Sequence, residues 1–238
     1  MNIHHIVNYY EAAAQFEITP EEALEFFLAK GLSRSFRWDD MVSQEHDIAF
    51  TVAKLMNQDL LEFVKQELDR VIANGDTFAD FAEQIMPALQ RRGWWGKRDV
   101  IDPLTGRVIE ARLGSASRLE TIFRTNLQSA YAKGQWENIQ DTKDTFPYLM
   151  YDAVDDSRTR PEHAAWDGIV LPADHPFWQT HYPPNGYNCR CGVIQLTWDD
   201  IAEYGLRISG QPNVKWRIHE TADGRQIAHP EGVDPTFI

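Results

Sequence analysis

Cysteine is scarce in this chain of 238 residues, and its only two copies lie close together. Cys189 and Cys191 are separated by a single residue, and a disulfide between such near neighbours is sterically unfavourable. The sequence therefore indicates no disulfide framework. Two free cysteines fit a reducing compartment such as the cytoplasm, where thiols stay reduced.

Long apolar runs are also missing. No run reaches the roughly 18 to 20 apolar residues that a membrane-spanning helix needs. The start of the sequence, as far as Phe16, lacks the basic and apolar regions of a secretory signal peptide. The sequence predicts no association with a membrane.

Positive charge is in deficit, with 23 lysines and arginines against 36 acids and a formal net charge of -13. Because binding to a phosphate backbone depends on clustered bases, this balance disfavours a general role in DNA binding. One basic cluster is formed by Arg91, Arg92, Lys97 and Arg98. Cations of this kind suit a solvated helix end, so direct contact with DNA is not expected.

The signatures of common enzymes are absent too. The sequence contains no Walker loop, no GxSxG, no GxGxxG and no HExxH. It therefore identifies no catalytic residue by motif and gives no indication of a small-molecule substrate.

Helix signals dominate the N-terminal part of the chain. Thr19 and Pro20, a capping residue and a proline suited to a first turn, predict a helix that ends near Gly31. Apolar residues at three- and four-residue steps predict a second helix over 44–73. The same periodicity behind a threonine cap predicts a third helix over 77–89.

A change of pattern follows. Residues 93–114 are rich in glycine and turn residues and predict a turn-rich connector with no helical period. Trp94 and Trp95, which lie between glycines, are expected to be packing anchors. A serine cap and a renewed apolar stripe then predict a helix over about 115–140.

The C-terminal part is patterned as short strands between turns. Residues 148–154 and 191–196 are typical of strands, and a threonine cap predicts a short helix over 197–204. Residues 214–219 and 226–229 flank an Asp-Gly turn and are predicted to pair as a hairpin.

These elements predict an α+β protein. A helical N-terminal region over residues 1–97 is followed by an α+β domain over residues 98–238, in which a small, mainly antiparallel sheet packs on helices.

Aspartate, arginine, histidine and cysteine are concentrated in residues 155–168 and 183–191. Such a mixture is compatible with an active site. It can equally build a polar network that holds loops on a sheet, because buried polar groups need partners. The residues alone favour the network over a catalytic site.

The same segments resemble the phage Mu F-like minor head proteins, also called the phage head morphogenesis domain family. Relatives commonly carry Asp-x-Arg-x-Cys-x-x-Cys-x-x-x-Asp-Gly and, later, Cys-Arg-Cys. The first element matches Asp156, Arg158, Asp167 and Gly168, and the second matches residues 189–191. Residues 49–54, 93–97 and 122–127 also resemble segments of the Mu-type branch, so the resemblance spans most of the chain.

This resemblance implies a structural minor head protein of a tailed phage or prophage. Such a protein acts in head morphogenesis near the portal vertex, through contacts with portal, scaffold or major capsid proteins. It resides in the virion head and, during assembly, in the host bacterial cytoplasm. The family has no established catalytic activity. Residues 231–238 resemble a family segment that normally continues further, so the C-terminal domain is expected to be either truncated or naturally short.

An enzyme is the alternative hypothesis. A metal-assisted hydrolase or nuclease, or an injected effector, would draw on the side chains of the polar segments and their neighbours. The candidates are Asp155, Asp156, His163, His175 and His181.

This chain departs from the family element at two positions. Arg160 and His163 stand where many relatives have the two cysteines, so only His163, Cys189 and Cys191 remain as ligands for zinc, with His175 or His181 available to complete the set. Because a guanidinium stays protonated and cannot ligate, a metal-free arrangement is expected. In it, Arg160 pairs with an acid such as Asp155 or Asp156, and the cysteines stay reduced.

The expected polar network has two further features. Arg158 and Asp167 are expected to act together in holding the loop on the sheet, and Arg124 is expected to pair with an acid of the C-terminal region. The whole predicted set comprises Arg124, Asp156, Arg158, Arg160, His163, Asp167, Gly168, Asn188, Cys189, Arg190 and Cys191.

Overall fold

The computed structural model describes residues 21–42 and 44–238, so the predicted cap at Thr19 and Pro20 lies outside the described residues. The helices are α1 (Glu21–Ala29), α2 (Glu45–Ile48), α3 (Gln58–Asn74), α4 (Phe78–Arg91), α5 (Ala116–Thr142), α6 (Pro161–Trp166), α7 (Trp178–His181) and α8 (Trp198–Glu203). The strands are β1 (Gly31–Leu32), β2 (Ala49–Phe50), β3 (Lys97–Ile101), β4 (Val108–Arg112), β5 (Tyr148–Asp152), β6 (Val170–Pro172), β7 (Gly192–Leu196), β8 (Trp216–Glu220) and β9 (Gln226–Pro230).

The strands form small sheets. β1 and β2 pair in parallel, β3 pairs with β4, and β8 pairs with β9. The central sheet has the order β6-β5-β7 and is antiparallel throughout. The α+β class predicted from the sequence is therefore confirmed. Within the described ranges, no helix is long and apolar enough to cross a membrane.

Side-chain caps fix the ends of the principal helices. Asn57 accepts a hydrogen bond from the Leu60 N–H at the start of α3, and Thr77 forms a capping box with Asp80 at the start of α4. Ser115 accepts a hydrogen bond from the Arg118 N–H at the start of α5. Each cap satisfies backbone N–H groups that a helix start leaves unpaired. The predicted helices over 77–89 and 115–140 are confirmed.

The helix predicted over 44–73 is instead interrupted. α2 ends at Ile48, the chain then extends through β2, and α3 begins only after Asn57. The intervening Phe50, Val52 and Leu55 are buried in the helical core. Burial of these apolar side chains stabilises the extended segment. Ala53 and Met56, which continued the helical spacing in the sequence, are instead half-buried and exposed.

The turn-rich connector over 93–114 contains no helix, as predicted, but it also contains the β3–β4 hairpin, which the sequence did not predict. Most residues of both strands are exposed, and Ala111 is the buried one. A ribbon exposed on both faces shows no alternation of apolar and polar residues, so the pattern on which strand prediction depends is missing.

Helix α5 joins two hydrophobic cores. Leu119, Phe123 and Ala130 pack with α1, α3 and α4 in the first core. Further along the helix, Ile139 packs against the central sheet in the second core, beside Leu149. The first core thus includes residues on both sides of the boundary proposed at 97/98, which stays a prediction.

The base of the β3–β4 hairpin is closely packed around Trp94. This side chain is 5% exposed, its indole N–H donates to the Lys54 carbonyl at 2.9 Å, and the Arg118 guanidinium lies over its ring. Trp95 packs against the same core. The expectation that both tryptophans are packing anchors is confirmed.

Replacing Gly114 by alanine should destabilise the protein. A Cβ at this position would lie 2.5 Å from the Trp94 carbonyl oxygen and 2.7 Å from the Trp95 ring. Overpacking of this kind costs about 1–3 kcal/mol of unfolding free energy. Chemical denaturation of Gly114→Ala provides the measurement. Gly210→Ala is the matched control because its Cβ would meet no atom within 4 Å, and equal stability of the two variants would contradict the packing argument.

Candidate functional site

The first family element, which runs from Asp156 to Gly168 and is called the first motif below, ends in an Asp-Gly pair. This pair fastens the loop to the end of β5. An oxygen of the Asp167 carboxylate accepts a hydrogen bond from the Ala153 N–H at 2.8 Å. Gly168 has φ of +72°, a conformation that favours glycine, and its N–H donates to the Tyr151 carbonyl at 2.9 Å. These contacts return the chain from α6 to the sheet and lead it into β6.

Asp156 connects the first motif to the Cys-Arg-Cys motif. Its two carboxylate oxygens accept hydrogen bonds from Arg190 at 2.6 and 2.7 Å. The Arg158 N–H adds a third at 2.8 Å. The hydrogen bonds from the Arg190 side chain hold the pKa of the Asp156 carboxyl well below its usual range, and the hydrogen bond from the Arg158 backbone adds to this effect. This two-point pair is the strongest polar link between the two motifs.

Three of the predicted arginine contacts differ in the structure. Arg158 lies 73% exposed, 3.4 Å from Asp156, and shares no contact with Asp167. Arg160 donates to the Tyr187 carbonyl at 2.8 Å instead of pairing with an acid, because Asp156 is already paired with Arg190.

Arg124 does not pair with an acid of the C-terminal region either. It lies on a solvent-facing side of α5 and pairs at 2.7 Å with Glu120, one turn earlier on the same helix. The sequence prediction was wrong because an acid at this helical spacing is a nearer partner than any in another element.

His163, Cys189 and Cys191 form a compact cluster. The short helix α6 points His163 inward, where it is 1% exposed, and Cys189 is 3% exposed. The His163 Nδ1 lies 3.6 Å from the Cys189 Sγ and 3.5 Å from the Cys191 Sγ. The ligand atoms of all three residues lie within 4.8 Å of one another.

The hydrogen bond on the other side of the ring fixes the tautomer of His163. Its Nε2 lies 2.9 Å from the Gly232 carbonyl oxygen, which can only accept. In the neutral ring, Nε2 therefore carries the proton and the Nδ1 lone pair faces both sulfurs. The ring stacks on Trp166 at 5.1 Å between centroids and 19° between planes, so its orientation is held from the side as well.

The two thiols have unequal acidity. A hydrogen bond from Cys191 lowers the pKa of Cys189 to about 6, in opposition to burial, and backbone N–H groups of Asn185 and Cys191 act in the same direction. The bond to Cys189, together with burial, raises the pKa of Cys191 to about 12. The pair thus favours one thiolate, on Cys189, and one thiol.

The remaining histidine candidates lie outside this cluster. His175 bonds to Gln211 and to the Phe177 N–H. His181 is buried, stacks on Phe177 and contacts Thr180, and burial lowers its pKa to about 4. In the part of the chain that the structure describes, the cluster contains no carboxylate. Of the candidates of the enzyme hypothesis, the cluster contains His163 alone.

Asn188 and Gly232 complete the loops around the cluster. Asn188 has φ of +59°, which places it at the turn before Cys189. Gly232 lies 69 residues after His163, in a loop beyond β9. Its φ is +91°, and a Cβ there would lie 2.8 Å from the Trp166 ring, so glycine is required at this position. The sequence shows the glycine, but its contact with His163 depends on the fold.

The fold and the motif contacts define an α+β protein in which two polar loop motifs are fastened to one small sheet. Residues 62–194 match the family described as Phage Mu protein F like protein. The chain therefore belongs to the Phage Mu protein F like family, as its motifs predicted. The Asp156–Arg190 pair and the His163 cluster both lie inside the matched region.

Two curated relatives support this membership. The "Putative capsid assembly protein F" of Escherichia phage Mu is 42% identical over 192 residues, which cover 81% of this chain and 44% of that protein. The "Mu-like prophage FluMu F protein" of Haemophilus influenzae is 38% identical over 175 residues, which cover 74% of this chain and 41% of that protein. The chain spans less than half the length of these relatives. No solved structure matches it.

Loss of the Asp156–Arg190 pair should destabilise the protein in a pH-dependent manner. A carboxyl whose pKa is lowered by folding stabilises the native state above its unfolded pKa of about 4, and this contribution is lost as pH falls through the lower folded pKa. The melting temperature of Asp156→Asn should therefore lie below that of the parent from pH 7 to about pH 4, and the difference should shrink at lower pH.

The neighbouring arginines provide the matched comparison. Arg190→Ala should lower the melting temperature at neutral pH, since it removes both hydrogen bonds to Asp156. Arg158→Ala should leave it unchanged, because its side chain is 73% exposed. Equal effects of the two substitutions, or a Asp156→Asn difference that grows on acidification, would contradict this account.

Proposed function

We propose that this chain is a structural component of head assembly in a tailed phage or prophage. In this proposal it works near the portal vertex, in the virion head, through contacts with portal, scaffold or major capsid proteins. The name of the phage Mu relative, a putative capsid assembly protein, supports the role in assembly. Two exposed apolar ribbons in this chain support a mechanism based on protein contacts.

The first ribbon is the β3–β4 hairpin. Ile101 is 67% exposed, Val108 66% and Leu104, in the connecting turn, 54%. Ile101 and Val108 are directly paired across the two strands, so these apolar side chains lie together at the tip. An isolated two-stranded hairpin is marginally stable in water. Exposed apolar groups at its tip are suited to burial against another protein.

The second ribbon is the β8–β9 hairpin, which is fastened to the N-terminal region by one face. His219 bonds to Asp39 at 2.8 Å and lies against the Trp38 ring, and Arg225 donates to the Asp40 carbonyl at 2.7 Å. These contacts hold the hairpin in place.

The opposite face of this hairpin is apolar. Since side chains alternate along a strand, Trp216 and Ile218 point away from the face that carries His219. They are 57% and 69% exposed. An exposed tryptophan and isoleucine on a firmly held ribbon form a suitable contact surface for a partner, because aromatic anchors dominate many interfaces. This held ribbon is the single observation that most favours a binding role.

A charge placed on this outer face should impair head assembly while leaving the fold intact. Ile218→Lys in the full-length gene of the phage or prophage should lower the yield of DNA-filled heads seen by electron microscopy, because it places a charge in the proposed interface. Gln66→Lys, an equal charge change on an exposed residue of α3, is the control. A normal particle yield from the Ile218→Lys, Trp216→Ala double variant would exclude this face as an assembly contact.

The enzyme hypothesis has a separate test. We expect the purified protein to show no hydrolase or nuclease activity with or without added divalent metal, because His163 and Cys189 are buried and the acidic candidates lie apart from them. Nuclease and esterase assays provide the measurement. A metal-dependent activity that disappears in His163→Ala would favour the enzyme over the structural protein.

A further inference from the structure

We propose that His163, Cys189 and Cys191 bind one zinc ion through the Nδ1 atom of the histidine and the two sulfur atoms. This site is independent of the assembly role proposed above. It also revises the metal-free arrangement expected from the sequence, whose premise was an ion pair between Arg160 and an acid. Arg160 instead donates to the Tyr187 carbonyl.

The two distances from the His163 Nδ1 atom to the cysteine sulfurs are those of a zinc site. Zinc lies about 2.3 Å from a cysteine sulfur and about 2.0–2.1 Å from a histidine nitrogen, and a tetrahedral angle between these bonds separates the two ligand atoms by about 3.6 Å. The Nδ1 atom of His163 lies 3.6 Å from one sulfur and 3.5 Å from the other. One ion placed between these atoms would satisfy both separations.

Hydrogen bonding alone explains this arrangement less well. The Nδ1 of a neutral imidazole has one lone pair, which is directed in the ring plane and accepts one strong hydrogen bond. Here two sulfurs lie at nearly equal distances from that single nitrogen. A cation between the three atoms would accept the Nδ1 lone pair and a lone pair from each sulfur.

The surroundings of the ligands are also suited to a metal. The Gly232 carbonyl accepts the Nε2 proton of His163, and this is the outer contact that fixes the tautomer and orientation of metal-binding histidines. Backbone N–H groups of Asn185 and Cys191 donate to the Cys189 sulfur. These donors stabilise negative charge on a buried sulfur, which is the form of cysteine that binds metal.

The chemistry of the ligands selects the metal. Two thiolates and one imidazole favour a soft or borderline cation, and hard cations such as Mg²⁺ and Ca²⁺ prefer oxygen. Zinc is the usual occupant of tetrahedral sites of this composition. Bound there, the ion would cross-link α6, the loop before β7 and, through the Gly232 carbonyl, the loop beyond β9. A structural metal contributes its binding free energy to folding.

Metal analysis of the reduced, full-length protein tests the proposal. Protein produced in zinc-supplemented medium without a histidine tag should contain about one zinc per chain, as expected for one structural site. Chelator should lower its melting temperature. After zinc removal, Co²⁺ should give the absorption of a tetrahedral cobalt-thiolate centre. A zinc-free parent that develops no such spectrum with added Co²⁺, while a thiol assay shows both cysteines reduced, would overturn the proposal.

Substitutions separate loss of the ligand from loss of the fold. His163→Gln keeps an amide N–H that can donate to the Gly232 carbonyl but removes the Nδ1 lone pair, so it should lose stoichiometric binding of zinc and of Co²⁺. His163→Cys restores a soft ligand and should regain both. His175→Gln is the control, since His175 lies outside the cluster and bonds to Gln211. Binding by His163→Gln equal to that of the parent would also overturn the proposal.

Discussion

Helix α5 is the element that holds the molecule together, because the two cores meet along it. Its 27 residues bury Leu119 and Phe123 in the helical core and Ile139 beside the central sheet. Polar contacts reinforce the second junction: the Tyr182 hydroxyl donates to the Ala132 carbonyl, and Gln195 bonds to Thr142. A rigid helix shared by two cores fixes their relative position and therefore fixes where the loops of the central sheet lie.

The residues of the two motifs make two kinds of contact. Asp167 and Gly168 return the chain to β5, while Asp156 and Arg190 link the two loops across the surface. The family element is therefore a set of loop fasteners around a buried centre of two sulfurs and one imidazole. Each fastener satisfies backbone or carboxylate groups that would otherwise lie unpaired, and this need for partners accounts for the concentration of polar residues in the two loops.

The exposed ribbons contrast with this firmly held centre. Both hairpins keep a polar or buried anchor at one end and present isoleucine, valine or tryptophan to solvent elsewhere. Exposed apolar side chains raise the free energy of the isolated protein in water. The free energy falls when a partner covers them. Under the function proposed above, a head protein would be the partner that covers them.

The sequence by itself determined the capped helices over 77–89 and 115–140, the Asp-Gly hairpin, the α+β class and the family. These features depend on local capping, periodicity or ordered motifs, which a linear chain displays. Tertiary structure alone decided that Phe50 is extended in the helical core, that residues 97–112 form a ribbon, and which partner each arginine takes. It also decided that His163 meets both cysteines and the distant Gly232 carbonyl. Those outcomes depend on competition among partners brought together by packing, and the spacing of residues along the chain does not encode that competition.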